Sequence, residues 1–354
     1  MTNLTNLQNR IPLDSVCLIE NEKNLRYLLE FNIDTGYILA THENAYFITD
    51  FRYIETAENH LKNSKVSVIL QNDLKQDIKD VLEKEQKKNL LIETAYQTIS
   101  KFEFLKKITE NISVENTLDK IIVDLRITKN EYEIAQIEKA QKITDDAFSH
   151  ILPFIKEGVS EKELALELEF FMRKNGAEGV SFDLITISDK NTSLPHGVPS
   201  YKKIQKGEFI TMDIGCKVNG YCSDMTRTVA LGEPTDEMKK VYNTVLLAQK
   251  EAFKRIKSGV KTSEVDFAAR DFINKSGYED CFGHATGHGV GLDIHEEPRV
   301  STKSDTILQS GMIITVEPGI YLQDKFGVRI EDMVMVTDEG CYNFTKSNKE
   351  LIIL

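Results

Sequence analysis

An internal repeat in the C-terminal part of the chain most restricts the folds open to this sequence. The segment 155–159, Ile-Lys-Glu-Gly-Val, recurs as 256–260, Ile-Lys-Ser-Gly-Val, and identities continue at the same offset of 101 residues to Gly176 and Gly277. Each copy combines a helical pattern, a glycine break, a second amphipathic helix and then a strand pair with acidic residues. Two similar halves predict a pseudo-twofold domain whose acidic strands meet near its axis.

Both copies carry a signal for the start of their second helix. Ser160 and Glu163 have the spacing of an N-terminal capping box, in which each side chain bonds the backbone amide of the other residue. In the second copy the same pattern is shifted to Ser263 and Asp266. We therefore expect a capped helix to begin at Ser160 and another at Ser263.

Five residues in the last third of the chain form a candidate set for two metal ions: Asp213, Asp224, His288, Glu317 and Glu331. They occur in four local contexts, TMDIGCKVNGYCSDMTRT, GHATGHGVGLDIHEEP, ITVEPGIY and GVRIEDMV. Four carboxylates and one imidazole form an oxygen-rich set that suits Mn²⁺, Co²⁺, Fe²⁺ or Zn²⁺ in a hydrolytic pair and argues against a thiolate or copper site. Four carboxylates also balance the charge of two divalent ions.

The spacing of the two aspartates indicates that they share one face of a hairpin. Asn219-Gly220 is a strong type I′ turn signal between β-prone residues. With those two residues in the turn, Gly215 counts opposite Asp224, and Asp213 points to the same face. The carboxylates become diagonal neighbours, roughly 7–8 Å apart at the backbone. A bulge at Gly215 would change this count, and the alternative is that both aspartates are ordinary solvated hairpin charges.

A second strand-rich stretch repeats the arrangement with two glutamates, which weakens that alternative. Residues 313–316 and 328–336 are apolar and β-prone, and Glu317 and Glu331 terminate or interrupt them. Acidic residues in buried strands are costly unless they are paired or bound to a metal ion. Arg329 lies two residues before Glu331, so both side chains face the same side of the chain.

Four of the seven histidines, His196, His284, His288 and His295, lie near these acidic residues in the sequence. The segment 283–291 is too rich in glycine for a stable helix, since each glycine costs about 1 kcal/mol relative to alanine. The helical two-histidine zinc motif is therefore excluded. Three histidines within a short, glycine-rich stretch favour a site over a purely structural role.

With these residues, the chain resembles the proline-specific metallopeptidases of the pita-bread fold, which include Xaa-Pro dipeptidases (prolidases) and Xaa-Pro aminopeptidases. The five candidate ligands occur in the order and local contexts of that family. The resemblance covers residues 124–354 with high specificity and 1–120 weakly, through the patterns at 24–28 (NLRYL) and 49–53 (TDFRY). It implies an α/β (α+β) fold with a mixed N-terminal domain, 1–123, and a catalytic pita-bread domain, 124–354.

The resemblance also implies how the ligands are shared. Asp224 and Glu331 would bridge both ions, Asp213 would bind one ion, and His288 with Glu317 would bind the other. A hydroxide bridging the ions would be the nucleophile, because metal binding lowers the pKa of water toward about 7. Mn²⁺ is the favoured ion, with Co²⁺, Zn²⁺ and Fe²⁺ as alternatives.

Catalytic and binding roles follow from the same resemblance. Glu317 would carry a proton from the nucleophile to the leaving amine. His196 and His295 would stabilise the tetrahedral intermediate and hold the substrate, and His284 would line the same pocket. Arg329 would orient the bridging Glu331 and also Asp213 from outside the ligand set.

The choice of substrate depends on Arg299, which follows His295 by four residues. Several prolidases place an arginine at the matching spot to bind the carboxylate of a dipeptide, and a guanidinium suits such a bidentate contact; the alternative is an ordinary surface arginine. With the short N-terminal domain, this favours an Xaa-Pro dipeptidase over an Xaa-Pro aminopeptidase. Methionyl aminopeptidase ranks third. Metal-free scaffolds and creatine-hydrolysing relatives fit poorly because every ligand position is filled.

Chain length and apolar patterning predict the domain organisation. A chain of 354 residues suits two domains. Apolar stretches at 37–48 and 66–70 predict strands, and the patterns within 71–89 and from 129 to 156 predict a solvated helix and a long helix. A boundary is expected between Val114 and Arg126.

The net charge of −12 argues against nucleic-acid binding. No signal peptide and no apolar run of about 18 residues is found, so no membrane association is expected. The five cysteines have no framework spacing, which fits a cytoplasmic protein, and the resemblance implies a homodimer.

Overall fold

The computed structural model describes residues 2–113 and 116–354, so Val114, at the start of the expected boundary, lies outside the described residues. The chain divides into two compact units, Met1–Arg126 and Ile127–Leu354. Each has its own sheets, helices and apolar core, and each is described by itself.

The first unit is a six-stranded mixed sheet with helices. Its helices are α1 (Asn3–Gln8), α2 (Glu22–Leu29), α3 (Ile54–Leu61), α4 (Leu74–Glu85), α5 (Ile99–Lys106) and α6 (Thr117–Arg126), and its strands are β1 (Ser15–Ile19), β2 (Tyr37–Ala40), β3 (Ala45–Thr49), β4 (Val66–Leu70), β5 (Asn89–Ile92) and β6 (Ile112–Ser113). The strand order is β4-β3-β2-β1-β5-β6.

This unit forms two strands where the sequence predicts one, and it forms the predicted helix within 71–89. The stretch 37–48, predicted as one strand, forms β2 and β3, because Thr41 and Asn44 close a turn in which the amide of Thr41 donates to the carbonyl of Asn44 at 2.8 Å. The helix predicted within 71–89 is α4, and it begins after Asp73, whose carboxylate accepts from the amides of Lys75 and Gln76.

The second unit contains four long helices and several small sheets. The helices are α7 (Glu131–Ile151), α8 (Glu161–Lys174), α9 (Asp236–Phe253) and α10 (Thr262–Lys275). The strands are β7 (Gly179–Val180), β8 (Ile185–Ser188), β9 (Glu208–Ile214), β10 (Cys216–Val218), β11 (Tyr221–Cys222), β12 (Met225–Leu231), β13 (Gly287–Gly289), β14 (Glu296–Val300), β15 (Ile313–Val316), β16 (Gly319–Leu322), β17 (Phe326–Arg329), β18 (Asp332–Val336) and β19 (Cys341–Asn343).

The helices follow the internal repeat. Helices α7 and α8 form the pair of the first half, and α9 and α10 form the pair of the second half. The glycines at the two breaks adopt nearly the same left-handed backbone, with φ of +86° at Gly158 and +88° at Gly259, a conformation that glycine adopts without steric cost. Helix α7 ends five residues before the predicted end at 156, because Pro153 lies in a 3₁₀ turn and cannot continue the α-helix.

The two predicted capping boxes had different outcomes. The first is confirmed, since Ser160 Oγ accepts from the amide of Glu163 and Glu163 Oε2 accepts from the amide of Ser160. The second, from Ser263 to Asp266, is wrong: α10 begins at Thr262, and Glu264 accepts from the amide of Lys261 at 3.4 Å. The repeat explains the difference, because Lys261 and Glu264 are the counterparts of Ser160 and Glu163.

Each half also has its own apolar core. In the first half, α7 and α8 pack on β9 and β12 through residues such as Phe148, Leu164, Met212 and Val229. In the second half, α9 and α10 pack on β15 and β18 through Val245, Ala269, Ile314 and Val334. The candidate acidic ligands lie on or next to strands of these two cores, with Asp213 on β9 and Asp224, Glu317 and Glu331 beside β12, β15 and β18.

Candidate metal centre

The first acidic hairpin has the register that its turn predicts. Asn219 and Gly220 have φ of +48° and +80°, as a type I′ turn requires. The hairpin consists of two short ladders, β10 with β11 near the turn and β9 with β12 further from it, and the pairing is interrupted between them. Lys217 pairs with Cys222 in the first ladder, and Ile214 pairs with Met225 in the second. This is one continuous register, so Gly215 lies opposite Asp224 without a bulge. A Cβ on Gly215 would lie 2.0 Å from the carbonyl oxygen of Ser223, so the glycine permits this close approach.

The second acidic hairpin is interrupted in the same way. Val316 pairs with Asp332 on one side of the interruption, and Gly319 pairs with Arg329 on the other. In this register Glu317 and Glu331 face each other at the interruption. Their amides donate to residues outside this hairpin.

The amide of Glu317 donates to Thr286 O at 2.8 Å, and that of Glu331 donates to Thr226 O at 3.1 Å. Through Thr226, which lies on β12, the second hairpin therefore contacts the first. This contact brings the acidic strand pairs of both halves together, as the repeat predicts.

His288 joins the acidic residues from β13. Its Nε2 lies 3.5 Å from Asp224 Oδ2 and 3.5 Å from Glu317 Oε1. Asp224, His288 and Glu331 offer ligand atoms that all lie within 4.8 Å of one another. Burial lowers the pKa of His288 to about 4, so the imidazole is neutral. Its Nδ1 lies 3.1 Å from Gly289 O, which leaves Nε2 as the nitrogen that can bind a cation.

Arg329 connects the remaining aspartate to this cluster. The buried guanidinium donates from Nη2 to Asp213 Oδ2 at 2.7 Å, from Nε to Thr226 Oγ1 at 3.0 Å and from Nη1 to the Tyr321 hydroxyl at 3.0 Å. Thr226 in turn donates to Glu331 Oε2 at 2.7 Å. Asp213 Oδ1 is buried and has no hydrogen-bond partner among the described residues, so it is available to a cation.

The buried carboxylates of the cluster carry more negative charge than the neighbouring arginine, Arg329, balances. Burial and the charge of Glu331 raise the pKa of Asp224 well above its usual range. Burial and the charge of Glu317 do the same for Glu331, and burial raises the pKa of Glu317 to about 8. Arg329 opposes each of these shifts but offsets only part of the repulsion. Such a set fits divalent cations, which carboxylates bind in their ionised form.

His284 forms hydrogen bonds at both ring nitrogens. Nδ1 lies 2.8 Å from Ala285 O, and Nε2 lies 2.8 Å from the Tyr321 hydroxyl. Burial lowers the pKa of His284 to about 4, so the neutral ring donates from Nδ1 and accepts at Nε2. The Tyr321 hydroxyl then accepts from Arg329 and donates to His284, which links the pocket histidine to the acidic cluster.

The other predicted pocket residues lie at the exposed rim of the cluster. The ring of His295 meets that of His288 edge-on, with centroids 4.4 Å apart. Burial, with the positive charge of Arg299 as the next cause, lowers the pKa of His295. His196 contributes to the lowered pKa values of both His284 and His295, so it lies near both. His196, His295 and Arg299 are all exposed.

Sequence reasoning missed several supporting residues: Thr226, Tyr321, Asp266 and Arg270. Thr226 follows Asp224 by two and therefore lies on the same face of its strand, a signal that was available. Asp266 and Arg270 pair on α10 at 2.9 Å, and the spacing of four residues is typical of such pairs. Nothing local in the sequence distinguishes Tyr321.

Comparison with known proteins identifies the class. Residues 135–338 match Metallopeptidase family M24, and residues 13–128 match the Creatinase/Prolidase N-terminal domain. The chain is 38% identical over 318 residues to the Xaa-Pro dipeptidase of Pyrococcus furiosus, covering 90% of this chain and 89% of the relative.

Two solved structures are also similar. The Xaa-Pro dipeptidase from Bacillus anthracis has a TM-score of 0.94 with 42% identity and covers 99% of each chain. The X-Pro aminopeptidase from Thermotoga maritima has a TM-score of 0.91 with 35% identity and covers 98% of this chain and 99% of that one.

The chain belongs to metallopeptidase family M24 and is a metallohydrolase. The predicted fold class, a mixed α/β N-terminal domain followed by a pita-bread domain, is confirmed. Among the described residues, none of the helices is both long and apolar enough to cross a membrane.

Proposed function

We propose that this chain is a dinuclear-metal exopeptidase that hydrolyses the Xaa-Pro bond, and that it is an Xaa-Pro dipeptidase. One observation carries the proposal. Asp224, His288 and Glu331 offer ligand atoms within 4.8 Å of one another, and Glu317 Oε1 lies 3.5 Å from His288 Nε2. Beside them, Asp213 Oδ1 is buried and has no hydrogen-bond partner among the described residues, and burial with mutual repulsion raises the pKa values of three of the carboxylates.

We assign five residues as metal ligands: Asp213, Asp224, His288, Glu317 and Glu331. In this assignment Asp224 and Glu331 would be shared by the two ions, Asp213 would belong to one ion, and His288 with Glu317 would belong to the other. The native ion proposed is Mn²⁺, with Co²⁺, Zn²⁺ or Fe²⁺ as alternatives, because oxygen-rich sites accept several divalent metals. When bound, such a pair lowers the pKa of a shared water and supplies hydroxide at neutral pH.

The protein groups around the metals would manage protons and substrate. Glu317 would accept a proton and pass it to the leaving nitrogen of the substrate. His196 and His295, at the rim, would donate hydrogen bonds to the substrate and to the oxyanion that forms. His284 would line the pocket while Tyr321 fixes its ring.

Arg329 would act from outside the ligand set. Its guanidinium contacts Asp213 at 2.7 Å and Thr226 at 3.0 Å, and Thr226 donates to Glu331 at 2.7 Å. A single buried cation therefore fixes one aspartate directly and one glutamate through a hydroxyl. Such supporting contacts orient ligands without touching the metal.

Arg299 distinguishes dipeptide from longer-peptide hydrolysis. It is exposed and close enough to His295 for its charge to lower the pKa of that histidine, so a substrate carboxylate held there would lie at the rim of the centre. The structural neighbour from T. maritima carries the name X-Pro aminopeptidase, and an aminopeptidase acting on longer peptides is therefore the second candidate.

The test is the effect of Arg299→Ala on Ala-Pro and Ala-Pro-Ala with added Mn²⁺. Loss of a charge-assisted contact is worth about 1.5–3 kcal/mol, so kcat/KM for Ala-Pro should fall roughly 10- to 150-fold. The tripeptide carboxylate lies further out, and its hydrolysis should change little. Arg255→Ala, an exposed arginine after α9, is the matched control. Equal cleavage of both peptides with no selective effect of Arg299→Ala would refute the dipeptidase and favour the aminopeptidase.

The alternative activities and the oligomeric state can be tested separately. Met-Ala-Ser tests for methionyl aminopeptidase activity, and metal content after purification distinguishes an enzyme from a non-enzymatic scaffold. We propose a homodimer, to be measured by sedimentation. We also propose a cytoplasmic location, which the lack of a disulfide among the cysteines of the described residues supports.

A further inference from the structure

One side chain bridges the interruption in the glutamate hairpin. Gln249, fully buried on α9, donates from Nε2 to Val316 O at 3.0 Å and to Ile330 O at 3.3 Å. These carbonyls belong to the residues immediately before Glu317 and Glu331. The two hydrogens of one amide group therefore join the two peptide units from which the facing glutamates project.

This bridge has a geometric consequence. The two N–H bonds of a primary amide diverge at a fixed angle, and hydrogen bonds weaken steeply when they deviate from linearity. Gln249 therefore restricts how far apart the two carbonyls can lie. Since the amides of Glu317 and Glu331 bond outward to Thr286 and Thr226, the bridge replaces direct pairing of the strands at this point.

The orientation of the Gln249 amide is itself fixed. Its Oε1 accepts from Lys349 Nζ at 3.0 Å, and Lys349 also contacts Asp332 Oδ2 at 2.5 Å. Because an ammonium only donates, the oxygen of the amide must face Lys349 and the nitrogen must face the carbonyls. Asp332 binds Arg227, which also donates to the carbonyl of Glu331 at 2.5 Å. The bridge is thus part of a buried network around Glu331.

The first half of the domain contains a counterpart. Ser181, next to β7, places its hydroxyl 2.9 Å from Cys216 O and 2.9 Å from Ser223 O. Those carbonyls lie on the two strands of the aspartate hairpin, and Ser223 immediately precedes Asp224. In both halves, therefore, a donor from outside the hairpin lies between carbonyls of its two strands beside the acidic residues, although the single hydrogen of Ser181 is shared between them.

We propose that Gln249 is a positioning residue for the metal centre, which sets the spacing of Glu317 and Glu331 and through that spacing the affinity for the metal pair. The inference rests on the proposed function, since it takes both glutamates as ligands. Within the described residues, the hydrogen bonds of Gln249 go to Lys349 and to the two backbone carbonyls and not to a ligand side chain. It acts through the backbone of the two residues that precede the glutamates.

The test is Co²⁺ binding by the EDTA-treated full-length chain, measured by calorimetry and by the visible absorption of bound Co²⁺. Gln249→Met keeps the length of the side chain and removes both N–H donors. Co²⁺ affinity should fall by roughly 10- to 100-fold, as for other residues that orient metal ligands. At saturating Co²⁺, kcat for Ala-Pro should recover while KM stays unchanged, because the substrate contacts are intact.

Gln141→Met is the matched control. Gln141 is fully buried on α7, the helix that corresponds to α9 in the repeat, and its amide has no hydrogen-bond partner within residues 2–113 and 116–354. The same substitution there should leave Co²⁺ affinity at the wild-type value. Gln249→Glu is the second variant: it keeps the contact with Lys349, replaces the NH₂ group by oxygen, and should lose affinity as well.

The outcomes separate this inference from the proposed function. A wild-type chain that binds Co²⁺, together with folded Gln249→Met or Gln249→Glu proteins of equal affinity, would overturn the role of Gln249 alone. A lower melting temperature with unchanged affinity would overturn it too, since that result indicates a purely structural contact. A wild-type chain that binds no Co²⁺ would overturn the metal centre and this role together.

Discussion

Removal of bound metal should leave a folded chain whose stability falls as the pH rises from 5.5 to 8. Burial raises the pKa of Glu317 from 4.5 to about 8, and the pKa values of Asp224 and Glu331 shift in the same direction. A carboxyl group with a higher pKa in the folded chain binds more protons there than in the unfolded chain at every pH between the two values. Its stabilising contribution is complete below the unfolded pKa and is lost as the pH rises through the folded pKa.

The expected magnitude for Glu317 follows from that shift. One pKa unit corresponds to ~1.4 kcal/mol, so the interval from pH 5.5 to pH 8 lowers the free energy of unfolding by about 3 kcal/mol. Glu317→Gln imitates the protonated carboxyl group but does not titrate. Comparing the variant with the wild type at each pH therefore removes the contributions of all other ionisable groups.

Urea unfolding of the EDTA-treated proteins, followed by circular dichroism, measures this difference. The two proteins should be similar in stability at pH 5.5, and Glu317→Gln should be about 3 kcal/mol more stable at pH 8. Added Mn²⁺ should reverse that order at pH 8, because the ion binds the ionised carboxylate and not the amide. A difference between the proteins that is the same at both pH values would refute the reasoning.

Three further predictions concern individual roles. Asp224→Ala or Glu331→Ala should abolish activity and most metal binding; a Glu331→Ala protein with two bound ions and normal turnover, by elemental analysis and assay, would contradict the assignment. His196→Ala and His295→Ala should keep the metals while kcat falls roughly 10²–10³-fold, and loss of metal would make that histidine a ligand instead. Thr226→Val removes the hydroxyl that donates to Glu331 at 2.7 Å, so Mn²⁺ affinity at neutral pH should fall roughly 10- to 100-fold, with the midpoint of a pH titration of binding shifted upward.

The aspartate hairpin is predictable because its turn is chemically specific. Asn219-Gly220 accepts positive φ at both positions, and a two-residue turn of this type admits one register. Counting outward from the turn therefore places Gly215 opposite Asp224 on the amino-acid sequence alone. The glutamate hairpin has a three-residue turn at 323–325 with Asp324 at φ +58°, which no dipeptide signal marks. Its apolar pattern locates Glu317 and Glu331 but does not show that they face each other.

The supporting polar residues are harder to predict, because their partners come from distant parts of the chain. Gln249 lies in the buried stripe of α9 with Val245 and Ala252, and a polar residue at such a position is a signal that requires a partner. Gln141 carries the same signal on α7, yet its amide has no hydrogen-bond partner among the described residues. The pattern therefore identifies candidates without showing which of them serves the site.

The histidine-bearing loops show the same limit. The loop around His196 has little regular structure, so its backbone amides need other partners. Glu161, fully buried at the start of α8, supplies them: Oε1 accepts from the amide of Ser188 at 2.7 Å and Oε2 from that of Ser200 at 3.0 Å. This carboxylate holds both ends of the segment on which His196 lies.

In the second half, Asp266 has the corresponding function from α10. Its Oδ1 accepts from the amide of Thr286 at 3.1 Å, and its partner Arg270 donates to the carbonyl of His284 at 2.8 Å. Asp266 is one helical turn further along its helix than the position equivalent to Glu161. The repeat thus preserves a helix beside each histidine loop, α8 in the first half and α10 in the second, but it does not preserve the position of the acidic residue that holds the loop. Comparing the two halves of the sequence therefore predicts the helices but not the contacts of Glu161 and Asp266.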